Sequence, residues 1–396
     1  MLRPAQRIEN VRYAIRNIAA EAAKLEAQGR QVLHLNIGDP LQFDFQTPPH
    51  LVDALDRAVR DGHNGYAPSA GILPAREAIV REAARAGISG VSPADVFVTA
   101  GASEALELTL TALLDPGDGV LLPRPGYPLY DAIAAKLSAR AIPYDLDEED
   151  GWAPDVAEIE RHIDDRTRAI IVCNPNNPTG GVASRESLER VLDIARRHDL
   201  LVISDEIYDK LLYDGVTHVA TASLATDVPI VTVNGLSKAY LACGWRVGWL
   251  VLCHGAKGGE YARAVQRLTD ARLCAPAPPQ YTIAPALDGP HDHVAEMMGR
   301  LRERRDLMVR RVRAIDGLSV VQPGGAFYAM VRIDRQAFAT DEQLVLKLLH
   351  EESVLFVHGS GFGEKPGTQH FRVVFLPPPS VLEPAFDALE RFMRAH

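Results

Sequence analysis

The sequence predicts an α/β fold: a large domain with a mostly parallel seven-stranded sheet sandwiched by helices, and a smaller α+β domain beside it. Three observations carry this. A chain of 396 residues exceeds what one ordinary core accommodates, so two domains are expected. Between Asp95 and Cys253, short runs of Val, Ile and Leu recur as continuous apolar blocks rather than alternating with polar residues. That is the pattern of strands covered by helices on both faces. Helix-length segments at 103–114 and 184–199 separate some of these runs and supply crossovers between parallel strands.

The elements follow in order. Residues 6–29 have helical periodicity (Ile8, Val11, Ile15, Ile18) and close at Gly29, and 32–37 reads as a short strand. Thr47-Pro-Pro is a helix start, a capping hydroxyl followed by prolines that suit a first turn, continuing through Leu51, Leu55 and Val59. A loop at 65–71 precedes another helix near Leu73. The seven strands of the large sheet are placed at 96–99, 119–122, 141–144, 169–173, 201–204, 230–233 and 247–252. The last follows its predecessor with too little chain for a helical crossover, which points to an antiparallel course. A charged helix at roughly 290–315 leads into the smaller domain, with strands at 318–322, 326–333, 354–357 and 371–375 and helices at 341–351 and 380–395. The expected division is 46–290 for the large domain, with 1–45 and 291–396 forming the small one. No internal repeat stands out.

Composition narrows the function classes. Forty-seven per cent hydrophobic and 24 per cent charged residues describe a globular protein, and a formal charge of −10 argues against a nucleic-acid or anionic-membrane surface. No apolar run approaches the ~20 residues that span a bilayer. The opening Met1-Leu-Arg-Pro has no apolar signal core. Cys173, Cys243, Cys253 and Cys274 lack Cys-x-x-Cys spacing, so reduced thiols in a cytoplasmic protein are expected. The 13 histidines are scattered without ligand spacing, and no metal site is expected.

Chemistry concentrates in four segments. Lys238 closes Asn-Gly-Leu-Ser-Lys (234–238), and Arg246 follows within Gly-Trp-Arg-Val-Gly (244–248). Alone, a lysine after an apolar strand is most simply a solvated surface residue. With a hydroxyl before it and an arginine beyond, it suits a carbonyl cofactor bearing a phosphate: the amine forms a Schiff base while Ser237 and Arg246 hold the phosphate. Asn174-Pro-Asn-Asn-Pro-Thr-Gly180 is a turn leaving a strand, and it can aim the Asn177 amide above that strand's carboxyl end. Leu201-Val-Ile-Ser-Asp-Glu-Ile-Tyr208 ends a strand with Asp205 and Tyr208, a carboxylate and a phenol suited to a pyridinium nitrogen and a ring hydroxyl. Val98-Thr-Ala-Gly-Ala-Ser-Glu-Ala105 runs from a strand into a helix start, a common anion site.

As an ordered set these segments resemble the fold-type I pyridoxal-phosphate (PLP) aminotransferases, the aspartate aminotransferase superfamily, nearly end to end. The motifs are Asn-Pro-Thr-Gly (177–180), Asp-Glu-x-Tyr (205–208) and Ser-Lys-x7-Arg (237–246). Residues 35–40, 203–213, 234–248 and 272–276 are similar to the bacterial glutamate–pyruvate (alanine) aminotransferase branch.

The resemblance implies pyridoxal 5′-phosphate as cofactor and a ping-pong exchange between an L-amino acid and a 2-oxo acid, here L-alanine + 2-oxoglutarate = pyruvate + L-glutamate. Lys238 is then the Schiff-base lysine and proton carrier. Asp205 holds the pyridine nitrogen, Tyr208 and Asn177 the ring oxygen, and Tyr127 stacks on the ring. The phosphate takes N–H groups of Ala102 and Ser103, the Ser237 hydroxyl and Arg246. Tyr66 reaches it from a neighbouring subunit, which implies a homodimer with shared active sites. Arg372 binds the substrate α-carboxylate, with Gly38 allowing close backbone approach. Tyr13 and Arg16 are expected to cover the site and meet a distal carboxylate. Asn17-Ile18 departs there from the Gly-Pro usual in that branch.

Other readings share parts of this pattern: a broad aspartate or aromatic aminotransferase, a PLP-dependent β-lyase, or an amino-acid sensor domain. A dinucleotide-binding dehydrogenase would need Gly-x-Gly-x-x-Gly where Gly101-Ala-Ser-Glu stands.

Overall fold

Alternate residues of the central apolar runs feed two separate cores, because side chains along a strand point to opposite faces. Ile170, Val172, Val202 and Ile230 pack into one cluster, while Ala169, Ile171, Ile203 and Val231 pack into the other. Each of the Val and Ile side chains, fully buried, contributes about 1.5–3 kcal/mol. The structure, a computed structural model, describes residues 2–11, 14–335 and 337–396, with the side chains of 14–17 outside that description.

The sheet between these cores runs, edge to edge, Val96–Thr99, Gly248–Cys253, Ile230–Gly235, Leu201–Asp205, Thr167–Cys173, Gly119–Arg124, Arg140–Asp147 and Ala153–Pro154. From Ile230–Gly235 to Arg140–Asp147 the neighbours are parallel. Gly248–Cys253 is antiparallel to both of its neighbours, the course expected where no helical crossover fits. All seven expected strands are present. The eighth, Ala153–Pro154, turns back onto Arg140–Asp147 and is too short to leave a periodic signal. Cys173 pairs in register with Asp205, and Asp205 with Val233, so the parallel strands deliver their carboxyl ends to one edge of the layer. Ligands of such sheets bind there.

Two crossover helices, Ala102–Thr111 and Arg185–His198, match expectation closely, the second capped by the Ser184 hydroxyl accepting from Ser187 N. The helix after Thr47 spans Pro49–Arg60, but Thr47 is not its cap. The Thr47 hydroxyl donates instead to the Leu241 carbonyl. The N-cap is Pro48, so Thr47 stands one residue ahead of the capping position. The expected N-terminal helix is divided into a 3₁₀ turn, Gln6–Asn10, and an α-helix, Ala14–Ala27.

A 23-residue helix, Asp292–Ala314, leads to a four-stranded antiparallel sheet ordered Leu318–Val320, Tyr328–Ile333, His370–Val374 and Val357–His358. The strand expected at 354–357 is two pieces. Val354–Leu355 pairs in parallel with Leu33–His34, which ties the start of the chain to this smaller layer. Helices Asp341–Glu352 and Pro379–Ala395 complete it.

Candidate active site

Lys238 leaves the end of the strand Ile230–Gly235 half-buried, and its Nζ donates to the Gly38 carbonyl at 2.8 Å. The amine lies 6.0 Å from the Tyr208 ring centroid and 5.6 Å from that of Phe327. Asp205 ends the neighbouring parallel strand and is buried. Its Oδ2 accepts from the Tyr130 hydroxyl at 2.8 Å and its Oδ1 from Ile207 N at 3.3 Å. Burial lifts the Asp205 carboxyl to about 6, against the lowering effect of Tyr130, the Ile207 N–H and Lys238. Burial, reinforced by Tyr328, likewise holds the Tyr208 phenol well above its ordinary value, so it keeps its proton.

Asn177 and Arg372 meet from opposite sides. Asn177, in the buried turn after Thr167–Cys173, accepts Arg372 Nη1 at 3.0 Å, while Arg372 Nη2 donates to the Asn36 carbonyl at 2.6 Å. The Arg372 guanidinium carbon also lies 4.7 Å from the Tyr328 ring centroid and 4.6 Å from that of Phe362.

The helix start forms an anion cup. Gly101 turns at φ 83° into Ala102–Thr111, whose first N–H groups, those of Ala102 and Ser103, have no acceptor within the helix. A Cβ on Gly248 would sit 2.4 Å from Ala102 N, and one on Gly101 would sit 2.4 Å from Arg246 Nη2. Only glycines allow strand, helix start and guanidinium to come this close. Arg246 is exposed and held by the Cys243 carbonyl at 2.9 Å, and Ser237 is buried in the loop before Lys238. Glu104 accepts from Ala100 N and pairs with Arg272, which donates to the Val98 carbonyl, so the turn itself is pinned. Partial positive charge at the helix end plus a guanidinium suits a phosphate dianion.

The structure brings Lys238, Asp205, Tyr208, Asn177, Arg372 and Gly38 together, and it sets Arg246 beside the helix start at Ala102 and Ser103. Tyr127 is half-buried with its ring edge-on to Tyr130 at 5.8 Å. Tyr66 is 86 % exposed. Tyr13 lies outside the described residues, as does the side chain of Arg16. The stretches on either side are placed: Gln6–Asn10 lies against the helix Leu129–Lys136, and Ala14–Ala27 lies against Val357–His358 and the turn Gly359–Phe362.

Sequence reasoning missed Tyr130, Tyr328, Phe362 and the Asn36 carbonyl. Tyr127 and Tyr130 stand three residues apart at a helix start, a spacing that could have marked Tyr130. Nothing local marks Tyr328 or Phe362.

This α/β chain, with a lysine, a carboxylate and an arginine fork above the strand ends and an anion cup at a helix start, is an aminotransferase by its family. The model of the class I and II aminotransferases matches residues 30–389, and the chain belongs to that family. Among similar proteins, the glutamate-pyruvate aminotransferase AlaA of Haemophilus influenzae is 41% identical, covering 98% of this chain and 97% of the relative. An alanine aminotransferase of Mycobacterium tuberculosis is also 41% identical, over 98% of this chain and 91% of its own. The solved structure of an alanine aminotransferase from Pyrococcus furiosus superposes with a TM-score of 0.97 at 44% identity, both chains covered completely.

Proposed function

We propose that this aminotransferase uses pyridoxal 5′-phosphate on Lys238 to exchange amino groups between L-alanine and 2-oxoglutarate, giving pyruvate and L-glutamate. One observation carries the reading. Lys238 donates to the carbonyl of Gly38 at 2.8 Å, and Arg372 donates to that of Asn36 at 2.6 Å. A carboxylate gripped by Arg372 therefore has its α-carbon within reach of the lysine amine. Three relatives named for alanine or glutamate–pyruvate transfer support the substrate choice.

The residues fit the cofactor. The glycine-walled cup at Ala102 and Ser103, with the Arg246 guanidinium beside it and the Ser237 hydroxyl, offers the charge and donors that its phosphate needs. Asp205 is placed to partner the ring nitrogen, Tyr208 and Asn177 the ring oxygen, and Tyr127 the ring face. When bound, the cofactor supplies an electron sink for the electrons released at the α-carbon. Lys238 serves as attachment amine and then as base and acid, moving the α-proton. Arg372 and the backbone at Gly38 orient the substrate, and the planar fork suits a carboxylate better than an ammonium would.

For the distal carboxylate of 2-oxoglutarate the reading relies on Arg16 with Tyr13. The flanking stretches lie against the helix that carries Tyr130 and the turn that carries Phe362, on either side of the site. We further read the protein as a homodimer in which Tyr66 reaches the partner's phosphate cup. Val52, Val59, Tyr66, Leu73 and Leu273 are exposed apolar side chains suited to such an interface. The domain division at 46–290 against 1–45 and 291–396 follows the two sheets, and cytoplasmic residence follows the cysteine pattern. Among the described residues, no helix is long and apolar enough to cross a membrane.

The test is a half-reaction screen. Purified yellow protein is mixed with single amino acids, and loss of the visible band is followed. L-Alanine and L-glutamate should bleach it, borohydride should fix a pyridoxyl group on Lys238, and Lys238→Ala should abolish turnover. A preference for aspartate or aromatic amino acids would overturn the substrate choice. Pyruvate and ammonia released without an oxo-acid acceptor would favour a lyase.

A further inference from the structure

Tyr328 stands where the two halves of the site meet. Its hydroxyl lies 3.1 Å from the Tyr208 hydroxyl, and a Cβ built on Gly38 would fall 2.0 Å from the same oxygen. The phenol tip is therefore wedged between the large sheet and the N-terminal loop. The ring is buried and takes the Arg372 guanidinium at 4.7 Å from its centroid. One side chain thus touches the carboxylate grip, the backbone that accepts from Lys238, and the phenol facing the cofactor's oxygen.

Proton counting decides what this contact can do. A phenol has one proton and accepts through its lone pairs, so a single proton lies between the two oxygens. If Tyr208 gave its proton to Tyr328, none would remain for another acceptor. If Tyr328 donates instead, the Tyr208 proton is free to face an anionic ring oxygen.

We propose that Tyr328 is a positioning residue that donates to Tyr208, turns the Tyr208 proton toward the cofactor's ring oxygen, and seats Arg372 with its face. This rests on the reading that Lys238 carries pyridoxal phosphate. The two roles separate by substitution: Tyr328→Phe removes the hydroxyl and keeps the ring, whereas Tyr328→Leu removes both. Without the donor network, the ring oxygen's anion is less stabilised and holds its shared proton to higher pH.

The test reads the pH midpoint of the bound cofactor's visible band, and separately the Kd of propionate as a monocarboxylate probe. Tyr328→Phe should raise the midpoint by about one pH unit, a tenfold change in proton affinity, and leave the propionate Kd within about twofold. Tyr328→Leu should shift the midpoint similarly and weaken propionate about tenfold. In the Tyr208→Phe background, adding Tyr328→Phe should produce no further shift, because the effect runs through Tyr208. An unchanged midpoint in Tyr328→Phe overturns the proposal, as does a shift that adds fully to that of Tyr208→Phe. A wild-type protein with no visible band would instead bring down the cofactor reading on which it rests.

Discussion

Arg372 Nη1 donates to Asn177 Oδ1 at 3.0 Å, joining a strand of the smaller sheet to the turn above the large one across 195 residues of sequence. With Nη2 on the Asn36 carbonyl, the plane of the guanidinium is set before any substrate arrives. Preset geometry of this kind is what a two-pronged grip on a carboxylate needs.

Arg372→Lys keeps the charge and discards the plane. We expect kcat/KM to fall about 100-fold for both alanine and glutamate, equivalent to about 2.7 kcal/mol. Steady-state kinetics with each substrate measure this. A loss below about threefold would show that charge alone suffices.

Tyr130 is the donor that favours ionisation of the otherwise desolvated Asp205. Removing it with Tyr130→Phe should push the Asp205 carboxyl further above about 6, so less of it is ionised in mildly acidic solution. Binding of pyridoxal phosphate to cofactor-free protein should weaken by about tenfold near pH 6 and by less near pH 8. The wild-type curve is the reference, because a phosphate monoester itself titrates near pH 6. Parallel curves for the two proteins would contradict the assignment.

Gly248→Ala would place a Cβ 2.4 Å from both Ala102 N and Gly101 C, backbone atoms that cannot step aside. A loss of about 1–3 kcal/mol in folding stability is expected from the overlap, together with weaker cofactor retention as the helix start moves. Gly244→Ala meets nothing within 4 Å and serves as the control. Urea denaturation and cofactor titration separate the two. Equal behaviour would mean that the close approach carries no weight.

His370 is buried between Glu364 (Nδ1–Oε1, 2.5 Å) and Glu148 (Nε2–Oε2, 3.2 Å), the latter projecting from the large sheet's side. Burial draws the imidazole down, but the two carboxylates outweigh it and lift it to about 9. A raised histidine stabilises fully below its unfolded value of about 6.5, and the contribution is lost as pH climbs through about 9. Burial also lifts Glu364 to about 7, which lowers stability over an earlier window as pH rises from its ordinary value. In the double variant His370→Gln/Glu364→Gln, which removes both titrating groups, the decline up to about pH 9 should flatten, by up to about 3 kcal/mol relative to wild type, whereas His370→Gln alone would leave Glu364 without the imidazolium that lowers it. Denaturation of cofactor-free protein across that range checks it. An unchanged slope would refute the charged triad.

Much of the site is legible in the sequence because it sits where apolar runs stop. Asp205 ends a strand, Asn177 follows one, and Lys238 closes a loop after a third, so an unbroken Val/Ile/Leu block points directly at each. Arg372 is different: inside a fully buried strand it reads as a rim residue until its partners at Asn36 and Asn177 are known. Tyr328 stays opaque for the same reason, and Tyr130 is hinted at only by its spacing from Tyr127. The partners of Tyr130 and Tyr328 lie 75 and 120 residues away, and the turn signals nearby, Pro125-Gly126 and Pro323-Gly-Gly325, say nothing of those partners. Thr47 misled because its hydroxyl has a tertiary acceptor that no local rule contains.

The glycines and the arginine of the cup are all encoded at or before Gly248, whereas Arg372 comes well downstream of them. A ribosome therefore delivers the seat for an anion well before it delivers the grip for an α-carboxylate. Truncation from the C-terminal side would strip away the Arg372 grip first, while the anion cup stayed encoded upstream.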